Sequence, residues 1–135
     1  MKKFAVLLTV VLVGAIAVPA FTTPAQAQEK LRVAVVTPST KSDLAFSQSI
    51  YDALLAIQEE RGEENFEFVL SENMFVVEDA ATALRDYASQ GYDLVIAHGS
   101  QYGSSLSDIA PDFPDTAFAW GTTVDTFQDQ GITNV

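Results

Sequence analysis

Short apolar runs alternate with longer segments of helical periodicity from residue 31 onward. The runs are rich in β-branched residues and almost continuously apolar, as strands are when both faces of a sheet are covered. This alternation is typical of βαβ units, whose crossover helices pack against a parallel sheet. We therefore predict an α/β fold, a parallel sheet with helices on both faces in the order β-α-β-α-β-α-β. The four predicted strands are LRVAVV (31–36), FEFVL (66–70), YDLVIA (92–97) and TAFAW (116–120).

Three helices are predicted between these strands. The first has Asp43 or Ser42 as its N-cap, carries apolar residues at three- and four-residue spacing, and ends at Gly62. The second, VEDAATALRDYASQ, ends at Gly91, and the third covers about 102–113. Ligands bind such sheets at the carboxyl ends of the strands. The functional residues are therefore expected in four loops, 37–46, 71–76, 98–102 and 121–125.

The first 27 residues have the features of a secretory signal peptide. Lys2 and Lys3 precede the apolar run FAVLLTVVLVGAIAVPA, and the small residues AQA follow, so cleavage is expected after Ala27. A retained membrane anchor is the alternative, but Pro19 and a run near the lower limit for a membrane span favour removal. The chain has no cysteine, and so no lipobox cysteine to carry a lipid. We expect a periplasmic or secreted protein, soluble after cleavage of the signal peptide.

The charge balance of the remaining chain excludes whole classes of partner. All 18 acidic side chains but only five of the seven basic ones follow residue 27, so the net charge there is about −13. Nucleic acid is excluded as a partner, because phosphate recognition needs clustered lysine and arginine. The acidic cluster of residues 59–64 lacks an ordered ligand spacing, so we interpret it as a solvated surface and predict no metal site.

The motifs of phosphate binding and nucleophilic catalysis are not matched. Both phosphate-binding fingerprints need glycine in the loop after a strand, and residues 37–46 contain none. In AHGSQYGSS (97–105), His98 and Ser100 do not have the spacing of a nucleophile elbow and lie on one short turn. We predict no enzyme activity and no cofactor, and a hydrolase is a distant third possibility.

Among the function classes considered, non-covalent recognition of a small molecule is the one that these exclusions leave. The first loop combines hydroxyl groups with Asp43 and Phe46, a mixture of polar groups and apolar surface that is typical of small-molecule clefts. Asp43 is either a ligand contact or a simple N-cap, and Phe46 is either a cleft residue or core. Gln101 and Tyr102 are expected to hydrogen-bond and stack in the same cleft. His98 either bonds locally or contacts the ligand, and Trp120 is either core or a cleft wall.

Three segments resemble the BMP family (basic membrane protein, PnrA-like) of ABC-transporter substrate-binding proteins. They are LRVAVVTPSTKSDLAFSQSIYDAL (31–54), LRDYASQGYDLVIAHGSQYG (84–103) and FPDTAFA (113–119). The resemblance implies a type I periplasmic-binding-protein fold with two lobes that close on a solute. It also implies delivery of the solute to an ABC permease in the membrane, with purine nucleosides as the best-known solutes of the family.

The resemblance also assigns roles to particular residues. The family's first loop supplies an aspartate and an aromatic residue, which match Asp43 and Phe46; the next position, usually asparagine, is Ser47. An aspartate usually follows the fourth strand, where this chain has Thr122 or Asp125, depending on the alignment. The predicted ligand-binding residues are therefore Asp43, Phe46, Ser47, His98, Gln101, Tyr102 and Thr122.

We accordingly expect three parts: a signal peptide (1–27), an N-terminal α/β lobe (28–121), and the start of a crossover (122–135) to a second lobe that is missing from this chain. The predicted function is solute binding for an ABC importer, by a chain that is a truncated fragment of the two-lobed form and therefore binds its solute weakly. The alternative is a free-standing flavodoxin-like regulatory or sensory domain.

Overall fold

A computed structural model describes residues 29–135, so the predicted signal peptide lies outside the described residues. Four strands form one sheet in the order β2-β1-β3-β4, and all neighbouring strands are parallel. The predicted α/β fold with a parallel sheet is confirmed. The strands are β1 (Leu31–Val36), β2 (Phe66–Ser71), β3 (Leu94–His98) and β4 (Ala117–Gly121), and the helices are α1 (Phe46–Arg61), α2 (Val77–Ser89) and α3 (Gly103–Ile109).

The central strand β1 is the most buried, as its valine-rich sequence predicts. Its residues Val33 to Val36 are at most 2 % exposed. Because successive side chains point to opposite faces of a strand, Val33 and Val35 face one side and Ala34 and Val36 the other. The strand therefore contributes to two separate apolar clusters.

The three helices cover the two faces unequally. Among the helices of residues 29–135, only α1 packs over β1 and β2, in a cluster built on Val33, Val35, Leu54 and Phe66. Helices α2 and α3 pack on the opposite face in the larger cluster. This division follows from right-handed crossovers, since the step from β1 to β2 runs one way along the sheet and the steps to β3 and β4 run back. Helices thus lie on both faces, as predicted.

An apolar groove of about 400 Å³ remains beside α1, because within residues 29–135 no second helix lies on that face. Leu94 and Ile96 of β3 form its floor and are only half-buried, and Ile57 of α1 lines its side. Among residues 29–135 there is no helix of the length and apolar character that crossing a membrane requires.

The segment 122–135 packs on the lobe, whereas the sequence placed the end of the lobe at residue 121. Phe127 and Ile132 are buried in the larger cluster. The side-chain amide of Asn134 donates to the carbonyl oxygens of Ala110, Phe113 and Thr116, each at 3.0 Å. The peptide N–H of Phe118 in β4 donates to the carbonyl of Asn134 at 2.7 Å. These contacts attach the segment to the lobe, and its role as the start of a crossover remains a prediction.

Candidate functional site

The strand order places one topological switch point in the molecule. Strand β1 is followed by α1 on one face of the sheet, and its neighbour β3 is followed by α3 on the other. The loops that leave the carboxyl ends of β1 and β3 therefore diverge and leave a crevice between them, where ligands of open α/β sheets bind. Phe46 and His98, two residues predicted from sequence, lie at this crevice.

Three loops at this carboxyl edge contain residues with unusual backbone conformations. Leu44 after β1, Asn73 after β2 and Thr122 after β4 have φ angles of 61°, 60° and 70°. These φ angles lie in the left-handed region of backbone conformation, which is costly for most residues other than glycine. Residues with such strained backbones are found more often at functional sites. The strain therefore supports the carboxyl edge as the functional edge of this lobe.

Large apolar side chains are exposed at the same edge. Leu44 is 89 % exposed, Phe75 is 75 % exposed, and Val124 is fully exposed. Phe46 at the start of α1 is 36 % exposed, and Val76 before α2 is 52 % exposed. A concentration of exposed apolar groups at one edge marks a binding surface more often than scattered single residues do.

Asp43 acts as the cap of α1 from outside the helix. Its carboxylate accepts hydrogen bonds from the backbone N–H groups of Ala45 and Ser47 at 3.0 Å and of Gln48 at 3.1 Å. These bonds, with that from Ser47 the strongest influence, lower the pKa of Asp43 to about 2. The N-cap position is Ala45 rather than the predicted Asp43 or Ser42, but the Asp43 side chain performs the capping from two residues earlier. Contact of Asp43 with a ligand remains a prediction.

Phe46 and His98 form a stacked pair across the crevice. Their ring centroids lie 4.0 Å apart and the ring planes are inclined by 15°. His98 Nε2 also lies 3.1 Å from the carbonyl oxygen of Phe46, so Nε2–H is the donor of that bond. Phe46 belongs to neither apolar cluster. Because His98 Nε2 faces this carbonyl, the imidazole is not directed at Ser100 as a catalytic base would be.

Ser47 follows Phe46 and is fully buried. Its hydroxyl lies near the Asp43 carboxylate but makes no hydrogen bond of good geometry within the described part of the chain. A buried hydroxyl without a partner costs free energy, because it has lost its hydrogen bonds to water. Contact between Ser47 and a ligand remains a prediction.

Tyr102 is placed in the core, which contradicts its predicted role as a stacking surface. It is 0 % exposed, and its hydroxyl donates to the carbonyl of Met74 at 2.7 Å. Burial raises the pKa of Tyr102 to about 12. A short 3₁₀ turn over residues 100–102 directs the ring inward, so it supports the loop after β2 from below. Gln101, one residue earlier, stays partly exposed at the edge.

Trp120 and Thr122 follow each other at the end of β4 but face different surroundings. The Trp120 indole N–H donates to the carbonyl of Gly99 at 2.9 Å, and its ring stacks on Phe127. Trp120 is therefore partly buried and joins the end of β4 to the loop after β3. Thr122 is exposed, and its hydroxyl donates to the carbonyl of Gly121.

Gly121 is a feature of the site that sequence reasoning missed. It is the register partner of His98 in the ladder between β3 and β4. A Cβ atom at residue 121 would lie 2.9 Å from His98 Nδ1. Its place directly after a predicted strand was the only signal in the sequence. In the described residues, no group of three or more histidine, aspartate or glutamate residues is placed to hold a metal ion.

Comparisons with known proteins identify the family and the fold of this chain. A family model described as "ABC transporter substrate-binding protein PnrA-like" matches residues 30–135. An ABC transporter solute-binding protein from Conexibacter woesei DSM 14684 has a similar fold, with a TM-score of 0.59 and 21 % sequence identity. That match covers 74 % of this chain and 31 % of the other.

One curated protein, the transcriptional activator protein Med of Bacillus subtilis strain 168, is 30 % identical to this chain over 87 residues. The match covers 64 % of this chain and 26 % of Med. The chain thus spans between a quarter and a third of the length of these two proteins.

Proposed function

This chain belongs to the family of PnrA-like ABC transporter substrate-binding proteins, and from that premise we propose that it captures an uncharged, flat solute such as a nucleoside. The solute binds at the carboxyl edge of the sheet and is passed to an ABC permease in the membrane. The binding step involves no covalent chemistry.

The stacked pair of Phe46 and His98 carries this proposal. The pair lies at the topological switch point, and Phe46 keeps 36 % of its surface exposed beside the crevice. An aromatic face that is open on one side can stack against a heteroaromatic base, and such pairs contribute about 0.5–1.5 kcal/mol beyond their buried area. Gln101, Ser47 and Thr122 supply polar groups around it.

The charges at this edge favour an uncharged solute over a phosphorylated one. Lys41 is the only lysine or arginine in the carboxyl-edge loops of the described part, and its ammonium lies 4.0 Å from the Glu72 carboxylate and over the Tyr51 ring. Asp43 and Glu72 add negative charge, so a phosphate group at this edge would meet mostly carboxylates. Nucleosides fit this edge better than nucleotides do.

A second lobe is the other half of the proposed cleft. Substrate-binding proteins of this kind close two lobes around a ligand by a hinge motion. The chain spans about a quarter to a third of its relatives, so we propose that this lobe alone binds the solute weakly.

Weak binding can be measured by nuclear magnetic resonance. Trp120 is the only tryptophan, so its indole N–H, which donates to Gly99 at the site, gives a single resonance. Inosine, guanosine and adenosine are expected to shift this resonance in a saturable manner, whereas AMP and ribose are not. If no nucleoside shifts it up to the limit of solubility, the proposed solute class is wrong.

Phe46→Ala is expected to weaken nucleoside binding by about 1–3 kcal/mol, as loss of an aromatic anchor does. Ile57→Ala is the matched control, because Ile57 lies on the same helix and is 37 % exposed, against 36 % for Phe46. If Phe46→Ala and Ile57→Ala bound the nucleoside with equal affinity, the assignment of Phe46 to the binding surface would be wrong. If Phe46→Ala lowers only the melting temperature, the residue is structural.

Export is the second part of the proposal. We propose that residues 1–27 direct the chain out of the cytoplasm and are then removed, which leaves Gln28 as the first residue. Mass spectrometry of the protein recovered from the extracytoplasmic fraction would give the mass of residues 28–135. Recovery of the full-length chain in the membrane fraction would support a retained anchor instead.

A regulatory domain, the alternative interpretation of the sequence, is not favoured. Med carries the name of a transcriptional activator, but the family match over residues 30–135 is to substrate-binding proteins. Five basic residues against 18 acidic ones after residue 27 offer no complement to DNA phosphates.

A further inference from the structure

His98 is held against Phe46 by two independent contacts. The rings stack at 4.0 Å, and His98 Nε2–H donates to the Phe46 carbonyl at 3.1 Å. The first contact fixes the plane of the Phe46 ring, and the second ties the end of β3 to the first residue of α1. Because the two residues are 52 positions apart in the chain, the pair joins two elements that the switch point otherwise separates.

Gly121 makes the space in which the imidazole lies. A Cβ atom at this position would approach His98 Nδ1 to 2.9 Å and His98 Cα to 3.3 Å. The first distance is shorter than van der Waals contact, so any larger residue would push the imidazole away from β4. The requirement is for space, since Gly121 does not have a positive φ angle.

We propose that His98 is a positioning residue for solute binding, which fixes the Phe46 ring so that its free face is presented to the crevice, and that Gly121 is needed for this placement. The proposal rests on the function proposed above, because it assigns the stacking surface for the solute to Phe46. A ring that is fixed before binding loses less conformational freedom when the solute arrives, and this raises affinity without adding a contact to the solute.

His98 acts through Phe46 in this arrangement. One face of the imidazole is covered by the Phe46 ring, Nε2 is engaged with the Phe46 carbonyl, and Nδ1 faces Gly121. A ring that replaces the imidazole should therefore preserve most of the effect, whereas a side chain without a ring should not.

Four variants test this role by the same Trp120 resonance titration with inosine. His98→Ala and Gly121→Ala are expected to weaken inosine binding by about threefold to tenfold, as loss of an aromatic pair does. His98→Phe keeps a flat ring and is expected to restore affinity to within about twofold of the parent. Ser100→Ala is the control beside the site and should bind as the parent does. Inosine binding by His98→Ala as tight as the parent's would overturn the inference and leave the proposed function standing.

A second measurement needs no solute. With phenylalanine labelled by carbon-13, the parent should show cross-relaxation between the Phe46 ring protons and the imidazole protons of His98. The Phe46 ring resonances should shift in His98→Ala and Gly121→Ala and stay near the parent's in His98→Phe. If they stay unchanged in His98→Ala, His98 does not fix the ring and the inference fails. This outcome decides the inference even if no nucleoside binds, in which case only the proposed function is lost.

Discussion

At the scale of single residues, the first loop shows how a loop without glycine can turn sharply. The Asp43 carboxylate satisfies three backbone N–H groups at the start of α1, groups that would otherwise lack partners. Leu44, the next residue, takes the left-handed conformation that a glycine would usually take. The sequence predicted a cap at Asp43 or Ser42, but a leucine with a positive φ angle leaves no signature in a sequence.

Replacement of Asp43 tests the cap through its pH dependence. Because the pKa of Asp43 falls from 3.8 to about 2 on folding, its charge stabilises the fold fully above about pH 4, and this contribution is lost as the pH falls through 2. Asp43→Asn should lower the melting temperature by several degrees at pH 7. Between about pH 4 and 2, the melting temperature of this variant should fall less than that of the parent.

Thermal melts at a series of pH values make this measurement. Asp52→Asn, which changes an exposed carboxylate on the same helix, is the control and should melt as the parent does. If the curves of melting temperature against pH ran parallel for the parent and Asp43→Asn below about pH 4, the role of Asp43 as an ionised cap would be contradicted.

Leu44→Gly should make the protein more stable. The left-handed conformation costs a leucine about 1–2 kcal/mol, and glycine avoids this cost but loses about 0.5–1 kcal/mol through greater freedom in the unfolded chain. The Leu44 side chain is 89 % exposed and has little packing to lose, so we expect a net gain of up to about 1.5 kcal/mol. Urea unfolding gives the free energy, and Leu44→Ala, which keeps the backbone strain, should show no gain. Equal stability of the two variants would mean that the loop is not strained.

At the scale of secondary-structure elements, sequence periodicity predicted all four strands and three helices, with errors at their ends. Strand β3 begins at Leu94 rather than at residue 92, and α3 ends at Ile109, where a 3₁₀ turn containing Pro111 takes over. The error at Tyr102 has a different origin. In a 3₁₀ turn, a shift of one residue decides whether a side chain faces the core or the solvent, and the sequence pattern does not define that shift.

The close contact between α3 and β4 can be tested at Gly103. A Cβ atom there would lie 2.2 Å from the Trp120 ring, so the helix and the indole must separate to accept it. Gly103→Ala should lower the free energy of unfolding by about 1–3 kcal/mol and shift the Trp120 fluorescence. Ser104→Ala, an exposed neighbour in the same helix, should stay within about 0.5 kcal/mol of the parent. A stable Gly103→Ala with unchanged fluorescence would mean that the two elements are loosely packed.

At the scale of the whole molecule, helices on both faces were predictable, but their unequal number was not. Right-handed crossovers decide the face of each helix only once the strand order is known. The apolar pattern of each strand is compatible with many strand orders and does not select one. The order β2-β1-β3-β4 puts α2 and α3 together and leaves α1 alone on its face. The switch point, and with it the pairing of Phe46 with His98, could not be placed from the sequence for the same reason.

The open groove beside α1 should bind an uncharged apolar dye in the folded state. The fluorescence of Nile red should rise when the parent protein is added. It should rise less when Ile57→Gln is added, because Ile57 lines the groove beside Leu94 and Ile96. The variant should change the free energy of unfolding by less than about 1 kcal/mol, since Ile57 is already 37 % exposed. Val124→Gln, which alters a fully exposed valine elsewhere, should leave the fluorescence as it is. Equal dye binding by the parent and Ile57→Gln would mean that the groove is closed in solution.

The central position of β1 also has a consequence for the order of events in folding. Synthesis delivers this strand first, yet Leu31 pairs with Phe66 and Val33 pairs with Leu94, so its second neighbour arrives about 60 residues later. Pairings so distant along a chain form slowly, because the entropy cost of closing a long loop comes before any stabilising contact is made. We therefore expect that a nascent chain of this sequence cannot complete its sheet until β3 has been made, so that β1 stays without its second neighbour for most of synthesis.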